Sequence, residues 1–66
     1  MKAVVNGEAR DLPEGMTVAQ LLERLGLGGG RLAVEVNGDI VPKSAHDRFV
    51  ISEGDRIEIV RAIGGG

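Results

Sequence analysis

The fold is decided by residues 2–25, which read KAVVNGEARDLPEGMTVAQLLERL. Residues 2–5 and 8–12 flank Asn6-Gly7, a dipeptide that supports a tight type I′ turn, so the pattern predicts a β-hairpin. Pro13-Glu14-Gly15 ends the second strand, because proline has no backbone N–H and glycine frees the backbone. The stretch therefore begins with a β-hairpin, and the spacing of its apolar residues changes after residue 15.

The second half of this stretch predicts one amphipathic helix. Thr17 is suited to cap its N-terminus, and Gly26 is the expected stop. Apolar residues recur at i, i+3, i+4 and i+7, which places them in one stripe along a helix. The residues of this stripe are Val18, Leu21, Leu22 and Leu25.

The remaining sequence predicts further strands. Residues 32–36 alternate in polarity and end at Asn37-Gly38, a second tight turn. Residues 40–41 form a short extended piece that ends at Pro42. Residues 44–48 are expected to form one helical turn.

The last part of the chain returns to the core and then forms a final strand. Residues 49–51 are apolar, residues 53–55 have turn chemistry, and residues 57–60 alternate. A hairpin, a helix and more strands predict an α+β fold with the helix on one sheet face. The predicted core is Val18, Leu21, Leu22, Leu25, Val34, Val36, Phe49, Ile57 and Ile59.

Length and composition exclude several classes of function. With 66 residues the chain is expected to be one domain, too small for a core plus a deep substrate cavity of about 300 Å³ or more. Cysteine is absent, which excludes disulfides, zinc–thiolate sites and thiol nucleophiles. The net charge is −2 and Phe49 is the only Phe, Tyr or Trp, so nucleic acid is not an expected partner. The apolar run 3–5 is too short for a signal peptide or membrane span, and we expect a cytoplasmic protein with no membrane partner.

Two groups of residues superficially suggest a site. Residues 26–30 form a glycine-rich loop, but a helix precedes it and a strand follows, which is the reverse of a phosphate-binding loop. Ser44, His46 and Asp47 are the residue types of a catalytic triad, yet they share one polar turn, and triads are assembled from distant positions. We expect these three to be surface residues, with Ser44 available to cap the turn. No spacing of potential ligands predicts a metal site.

The C-terminus offers a different kind of chemistry. Ile63 is the last residue with a side chain to bury, and Gly64, Gly65 and Gly66 follow a strand that is predicted to lie in the sheet. A tail without Cβ atoms can enter a narrow slot in another protein, and its terminal carbonyl is unhindered. The carboxylate is ionised at neutral pH, since its reference pKa is ~3.3–3.7. Conversion to an acyl adenylate would supply a leaving group that sulfur can displace.

Taken together, these segments resemble the ThiS family of sulfur carrier proteins, which have a ubiquitin-like β-grasp fold. The similarity extends over the whole chain, residues 1–66. It rests on Val5-Asn6-Gly7-Glu8, Thr17-Val18-x-x-Leu21-Leu22, Val34-x-Val36-Asn37-Gly38, Ile40-Val41-Pro42, Glu53-Gly54-Asp55 and Gly65-Gly66. The resemblance implies a single β-grasp domain, with a mixed sheet of four to five strands on one main helix and a flexible glycine tail at 64–66.

The resemblance also implies a function and its partners. A ThiF-like enzyme would adenylate the carboxylate of Gly66 with ATP and Mg, a sulfur-transfer protein would help convert it to a thiocarboxylate, and a ThiG-like thiazole synthase would take the sulfur into the thiazole ring of thiamine. The chain itself would bind no cofactor and would not be an enzyme. Gly64 and Gly65 would thread the partner's active site. Val60, Ala62 and Ile63, next to this tail, are candidates for partner docking.

Other β-grasp proteins are alternatives. The small subunit of molybdopterin synthase shares the thiocarboxylate chemistry, but such chains tend to be longer and more aromatic. A ubiquitin-like modifier would use the same carboxylate to form isopeptide bonds with lysines. TGS-type modules contact RNA or nucleotides within larger proteins, which a free Gly-Gly end and the lack of a basic face disfavour. Plant-type ferredoxins are excluded because there are no cysteines to hold a cluster.

Overall fold

The computed structural model describes residues 1–28 and 31–61. Its strands are β1 (Lys2–Val5), β2 (Glu8–Asp11), β3 (Leu32–Val36), β4 (Asp39–Val41) and β5 (Arg56–Arg61). One α-helix, α1 (Val18–Arg24), follows β2, and a 3-10 turn (Lys43–Ala45) follows β4. The predicted order of strands and helix is confirmed.

All five strands form one mixed sheet in the order β2-β1-β5-β3-β4. β1 and β5 run parallel, and the other neighbouring pairs run antiparallel. The last strand of the described residues, β5, is therefore the central one, with β1 on one side and β3 on the other. The buried stripe of α1 covers one face of the sheet, as expected for a small α+β fold.

Both predicted hairpin turns are confirmed by their backbone angles. Asn6 and Gly7 have φ of 49° and 82°, and Asn37 and Gly38 have φ of 54° and 87°. Positive φ at both central positions is the requirement of a type I′ turn, which asparagine and glycine tolerate best. These two residue pairs therefore fix the pairing of β1 with β2 and of β3 with β4.

The ends of α1 are specified by local sequence. Thr17 Oγ1 accepts a hydrogen bond from Gln20 N at 3.2 Å, and Gln20 Oε1 accepts one from Thr17 N at 2.9 Å, which forms a capping box. At the other end Gly26 has φ of 75°, and Leu27 N donates to Leu22 O at 2.8 Å. This is the Schellman arrangement that a glycine after the last turn permits.

The core is larger than the sequence pattern predicted. Seven of the nine predicted core residues are buried, whereas Leu25 and Phe49 are half-buried and pack against its edge. Val50, expected to return to the core with its neighbours, is 52% exposed and instead forms an isolated bridge with Thr17. The buried residues that the pattern did not include are Ala3, Val5, Leu12, Met16, Val41 and Ile51.

The turn after β4 differs from the prediction in two respects. His46 is buried rather than on the surface, and its Nε2 lies 3.0 Å from Val41 O. Because a carbonyl oxygen can only accept, Nε2 carries the hydrogen of this bond. Ser44 is exposed and does not cap the turn, whose N-cap is Pro42 without a side-chain hydrogen bond. His46 thus joins the turn to the end of β4, and its carbonyl accepts a bond from Ala19 N at 2.8 Å.

Candidate functional site at the end of the last strand

The C-terminal half of β5 is held in the sheet up to the last described residue. Arg61 lies opposite Leu32 in the antiparallel register with β3, and Val60 lies opposite Ala33. The parallel register with β1 ends earlier, at Val5 opposite Ile57. On the side of β3, β5 is therefore paired as far as Arg61, whereas on the side of β1 it is paired only as far as Ile57.

Asn6 continues the hydrogen bonding of β5 on the side of β1, where the strand pairing is shorter. Its backbone N–H donates to Ile57 O at 2.9 Å, and its side-chain Oδ1 accepts from Ile59 N at 2.7 Å. The side-chain bond pairs the N–H of Ile59, which the strand pairing with β1 does not include. On the side of β1, β5 is therefore hydrogen-bonded two residues beyond Ile57, the last of its residues that is paired with β1.

Asn37 holds the start of the same strand from the β3 side. Its Oδ1 accepts from Arg56 N at 2.9 Å, and its backbone N–H donates to Arg56 O at 2.7 Å. Its Nδ2 also donates to Asp55 Oδ1 at 2.9 Å, and Asp55 Oδ2 accepts from Ser52 N at 2.8 Å. The two asparagines that shape the hairpins thus also fasten the last strand near both of its ends.

Only part of the predicted site lies within the described residues. Val60 is 61% exposed on the sheet face opposite the helix, as the alternation of β5 predicted. Ala62, Ile63, Gly64, Gly65 and Gly66, and the loop residues Gly29 and Gly30, lie outside the described residues. The roles assigned to these tail residues stay predictions.

The outer face of the sheet also carries two acidic side chains that the sequence analysis did not single out. Glu58 is exposed, Glu35 is half-buried, and the two are direct partners across β5 and β3. They help line an open groove of about 540 Å³. The other lining residues are Asn37, Gly38, Gly54 and Arg56. It is an open depression of the surface, in keeping with a chain too short for a deep cavity.

The alternative constellations do not assemble within the described chain. Ser44 and Asp47 are exposed, while His46 Nε2 is occupied by Val41 O. Across residues 1–28 and 31–61 no group of three or more potential ligands could hold a metal ion. In the same part of the chain no helix has the length and apolar character needed to span a membrane.

Comparison with known proteins gives matches over the whole chain. All 66 residues align at 48% identity with a thiazole synthase of Paramagnetospirillum magneticum, but the chain spans only 20% of the length of that relative. The sulfur carrier protein ThiS of Escherichia coli K12 is 32% identical, and the match covers 100% of both chains. The crystal structure of a ThiS protein from Geobacter metallireducens superposes with a TM-score of 0.85 at 30% identity, again over 100% of both chains. It confirms the β-grasp fold. The ThiS family model matches residues 3–66, and the chain belongs to the ThiS family.

Proposed function

We propose that the chain carries sulfur as a thiocarboxylate on Gly66 and donates it to the forming thiazole ring of thiamine. Membership of the ThiS family makes the chain a small sulfur carrier protein of thiamine biosynthesis rather than a catalyst. The residue-level statement, that Gly66 bears the sulfur, rests on the Gly64-Gly65-Gly66 ending and on the chemistry of a C-terminal carboxylate.

The chemistry needs two displacements at the same carboxyl group. In the first, a carboxylate oxygen of Gly66 attacks the α-phosphorus of ATP, and pyrophosphate leaves. In the second, hydrosulfide attacks the carbonyl carbon, AMP leaves and the sulfur loses its proton, which yields the thiocarboxylate. The adenylating enzyme supplies the electrostatic stabilisation of both steps and any metal ion that they need. The chain itself binds no cofactor.

The observation that supports this function best is the fixed position of β5. The strand is bonded to β3 as far as Arg61 and to Asn6 at Ile59, so the tail starts from a defined point. Five residues after Arg61 span at most about 18 Å when extended. A carboxylate delivered over such a short distance requires the partner to contact the surface around the end of β5.

The partners follow from this chemistry. A ThiF-like adenylating enzyme activates Gly66, a sulfur-transfer protein supplies sulfur, and a ThiG-like thiazole synthase consumes it. The 48% identical relative, itself named a thiazole synthase, supports the last of these. Gly64 and Gly65 thread the partner's active site, while Val60, Ala62 and Ile63 contact the partner beside it. We place these events in the cytoplasm, consistent with the lack of cysteine.

The experiment that tests this function is the intact mass of the chain isolated from its own cells. The expected result is a fraction heavier by ~16 Da that reacts with an alkylating agent at the C-terminus; oxidation of Met1 or Met16 adds a similar mass but does not create this reactivity. Tandem mass spectrometry then places the added mass on Gly66. Unmodified mass after incubation with ATP, a sulfur source and the adenylating enzyme would contradict the proposal, and lysine conjugates would instead indicate a protein modifier.

A further inference from the structure

Both hairpin turns of the chain contain nearly the same short sequence. Val5-Asn6-Gly7-Glu8 forms the first turn and Val36-Asn37-Gly38-Asp39 the second, and each asparagine has a positive φ. Asparagine followed by glycine is prone to deamidation, because glycine has no Cβ to hinder attack by its backbone nitrogen on the side-chain carbonyl carbon. Since the flanking residues nearly match, a difference in reactivity between the two turns must come from the fold.

The side-chain amide of Asn37 is held at both of its polar atoms. Its Oδ1 accepts from Arg56 N at 2.9 Å, and its Nδ2 donates to Asp55 Oδ1 at 2.9 Å. Asp55 is itself fixed, because its Oδ2 accepts from Ser52 N at 2.8 Å. The carbonyl carbon of Asn37 can meet the nitrogen of Gly38 only when both bonds of the amide are broken, and one of these bonds has a charged acceptor.

The side-chain amide of Asn6 is held at one polar atom. Its Oδ1 accepts from Ile59 N at 2.7 Å, and within residues 1–28 and 31–61 its Nδ2 forms no hydrogen bond. The strand after this turn, β2, is exposed at every residue, whereas β4 in the second hairpin buries Val41. The first turn is therefore the easier of the two to open locally.

We propose that Asn6 is a site of spontaneous modification, at which the amide is converted through a succinimide, and that the fold protects Asn37 from the same reaction. The backbone nitrogen of Gly7 attacks Cγ of Asn6 and loses its proton, the amide nitrogen gains a proton, and ammonia leaves. Water then opens the cyclic imide at one of its two carbonyls, which gives aspartate or isoaspartate at position 6. Water is the only co-reactant.

The two products at position 6 differ in their contact with β5. An aspartate keeps an oxygen where Oδ1 was and still accepts from Ile59 N. An isoaspartate carries the backbone through Cβ and Cγ, so its free carboxylate is attached to Cα and is one carbon shorter than the side chain that reached Ile59. Isoaspartate therefore releases β5 on the side of β1. Only the consequence of this release for delivery of the tail rests on the proposed function.

The same change at Asn37 would disturb the fold directly. A carboxylate at this position cannot donate to Asp55 Oδ1, and it would place a second negative charge at the 2.9 Å separation that Nδ2 now occupies. Asn37 is thus the turn asparagine whose amide hydrogen the fold uses, and Asn6 is the one that contributes only an acceptor to it.

The test uses the two turns as controls for each other. The full chain is incubated in mildly alkaline buffer and digested with trypsin, which places Asn6 in peptide 3–10 and Asn37 in peptide 32–43. Mass spectrometry follows the conversion of amide to acid, and isoaspartyl methyltransferase labels the isoaspartate. Peptide 3–10 should be converted about tenfold faster, the factor for one additional bond to a charged acceptor. In concentrated urea the two rates should agree within about twofold, because the local sequences match.

Variants identify the bond that protects Asn37. Asp55→Ala removes the acceptor of Nδ2, so the rate at Asn37 should rise toward the rate at Asn6, whereas Asp47→Ala removes an exposed carboxylate elsewhere and should leave the ratio unchanged. Urea unfolding gives a second measurement that does not depend on the folding of Asp55→Ala. The midpoint should fall for Asn37→Asp and stay near the parental value for Asn6→Asp.

Three outcomes would overturn this site. These are equal rates at Asn6 and Asn37 in the folded chain, faster conversion of Asn37, or equal losses of stability in Asn6→Asp and Asn37→Asp. The proposed function is measured separately, as thiocarboxylate formation on the unmodified chain. A chain that forms no thiocarboxylate but is converted faster at Asn6 rejects the function and leaves the modification site in place.

Discussion

The side-chain Oδ1 of Asn6 accepts a hydrogen bond from the backbone N–H of Ile59 at 2.7 Å, across 53 residues of sequence. Asn6 is also a central residue of the first hairpin turn, with φ of 49°. One residue thus shapes the turn after β1 and continues the bonding of β5 beyond the end of β1. Because β5 leads to the C-terminal residues, this contact helps to fix the point from which the proposed function requires the carboxylate to be delivered.

Asn6→Gly separates the two roles of this residue. Glycine tolerates the positive φ, so the turn should persist, but the acceptor for Ile59 N is lost. We expect the free energy of unfolding to fall by about 1–3 kcal/mol, the cost of leaving a partly buried donor without its partner. Urea unfolding measures this loss, and amide hydrogen exchange should become faster at Ile59.

Asn37→Gly is the matched control for this change. Asn37 has a similar φ of 54° in the second hairpin turn, but its side chain bonds Arg56 N and not Ile59 N. Its exchange effect should therefore be centred at Arg56. If Asn6→Gly left the exchange of Ile59 at the parental rate, the side-chain bond would not be holding β5.

The two roles of these asparagines, in the turns and in bonding β5, differ in how far the sequence could predict them. The turns at Asn6-Gly7 and Asn37-Gly38 follow from local backbone preferences, which adjacent residues express. The bonds of both asparagine side chains to β5 depend on which strands become neighbours, and that is settled only when the sheet forms. The capping partner Gln20 is a different case, because Thr17-x-x-Gln20 is a local signature that was available in the sequence.

The same distinction between local sequence preferences and strand pairing applies to the candidate site. Alternation within β5 correctly placed Val60 outward, but the pairing of Glu35 with Glu58 is a property of the register between two strands. His46 was predicted to be exposed because its neighbours are polar. Its burial depends on the carbonyl of Val41, which needs a donor once β4 and the following turn fold together.

His46→Ala should destabilise the domain. The Val41 carbonyl loses its donor and the imidazole leaves a space beside the core, so we expect a loss of about 1–3 kcal/mol in the free energy of unfolding. Ser44→Ala, on the same turn and exposed, should change it by less than about 0.5 kcal/mol. Equal unfolding midpoints for the two variants would contradict the structural role assigned to His46.

Leu22→Ala tests the face of α1 that packs on the sheet. Leu22 is 6% exposed, and removing a buried leucine side chain is expected to cost about 2–5 kcal/mol. Val50→Ala is the control, because Val50 is 52% exposed and its truncation should cost little. Both values come from urea unfolding followed by circular dichroism, and a Leu22→Ala midpoint equal to that of Val50→Ala would refute the assignment of this helix face.

Addition of one alanine after Gly66 tests the carboxylate itself. The added residue moves the terminal carboxyl group by about 3.5 Å along an extended tail and places a Cβ beside it. A displacement of even 1 Å at a reacting centre can cost about 100-fold in rate, so thiocarboxylate formation should fall by at least that factor. Mass spectrometry after incubation with the adenylating enzyme, ATP and a sulfur source measures the product.

Two controls make this last prediction specific to chemistry rather than folding or docking. The extended chain should unfold at the parental urea midpoint, because the addition lies beyond β5 and the core. Its affinity for thiazole synthase should stay within a few-fold of the parent, because Val60 and the rest of the surface around the end of β5 are unchanged. A chain that carries the added alanine and still forms the thiocarboxylate at the parental rate would show that the reacting group is not the carboxylate of Gly66.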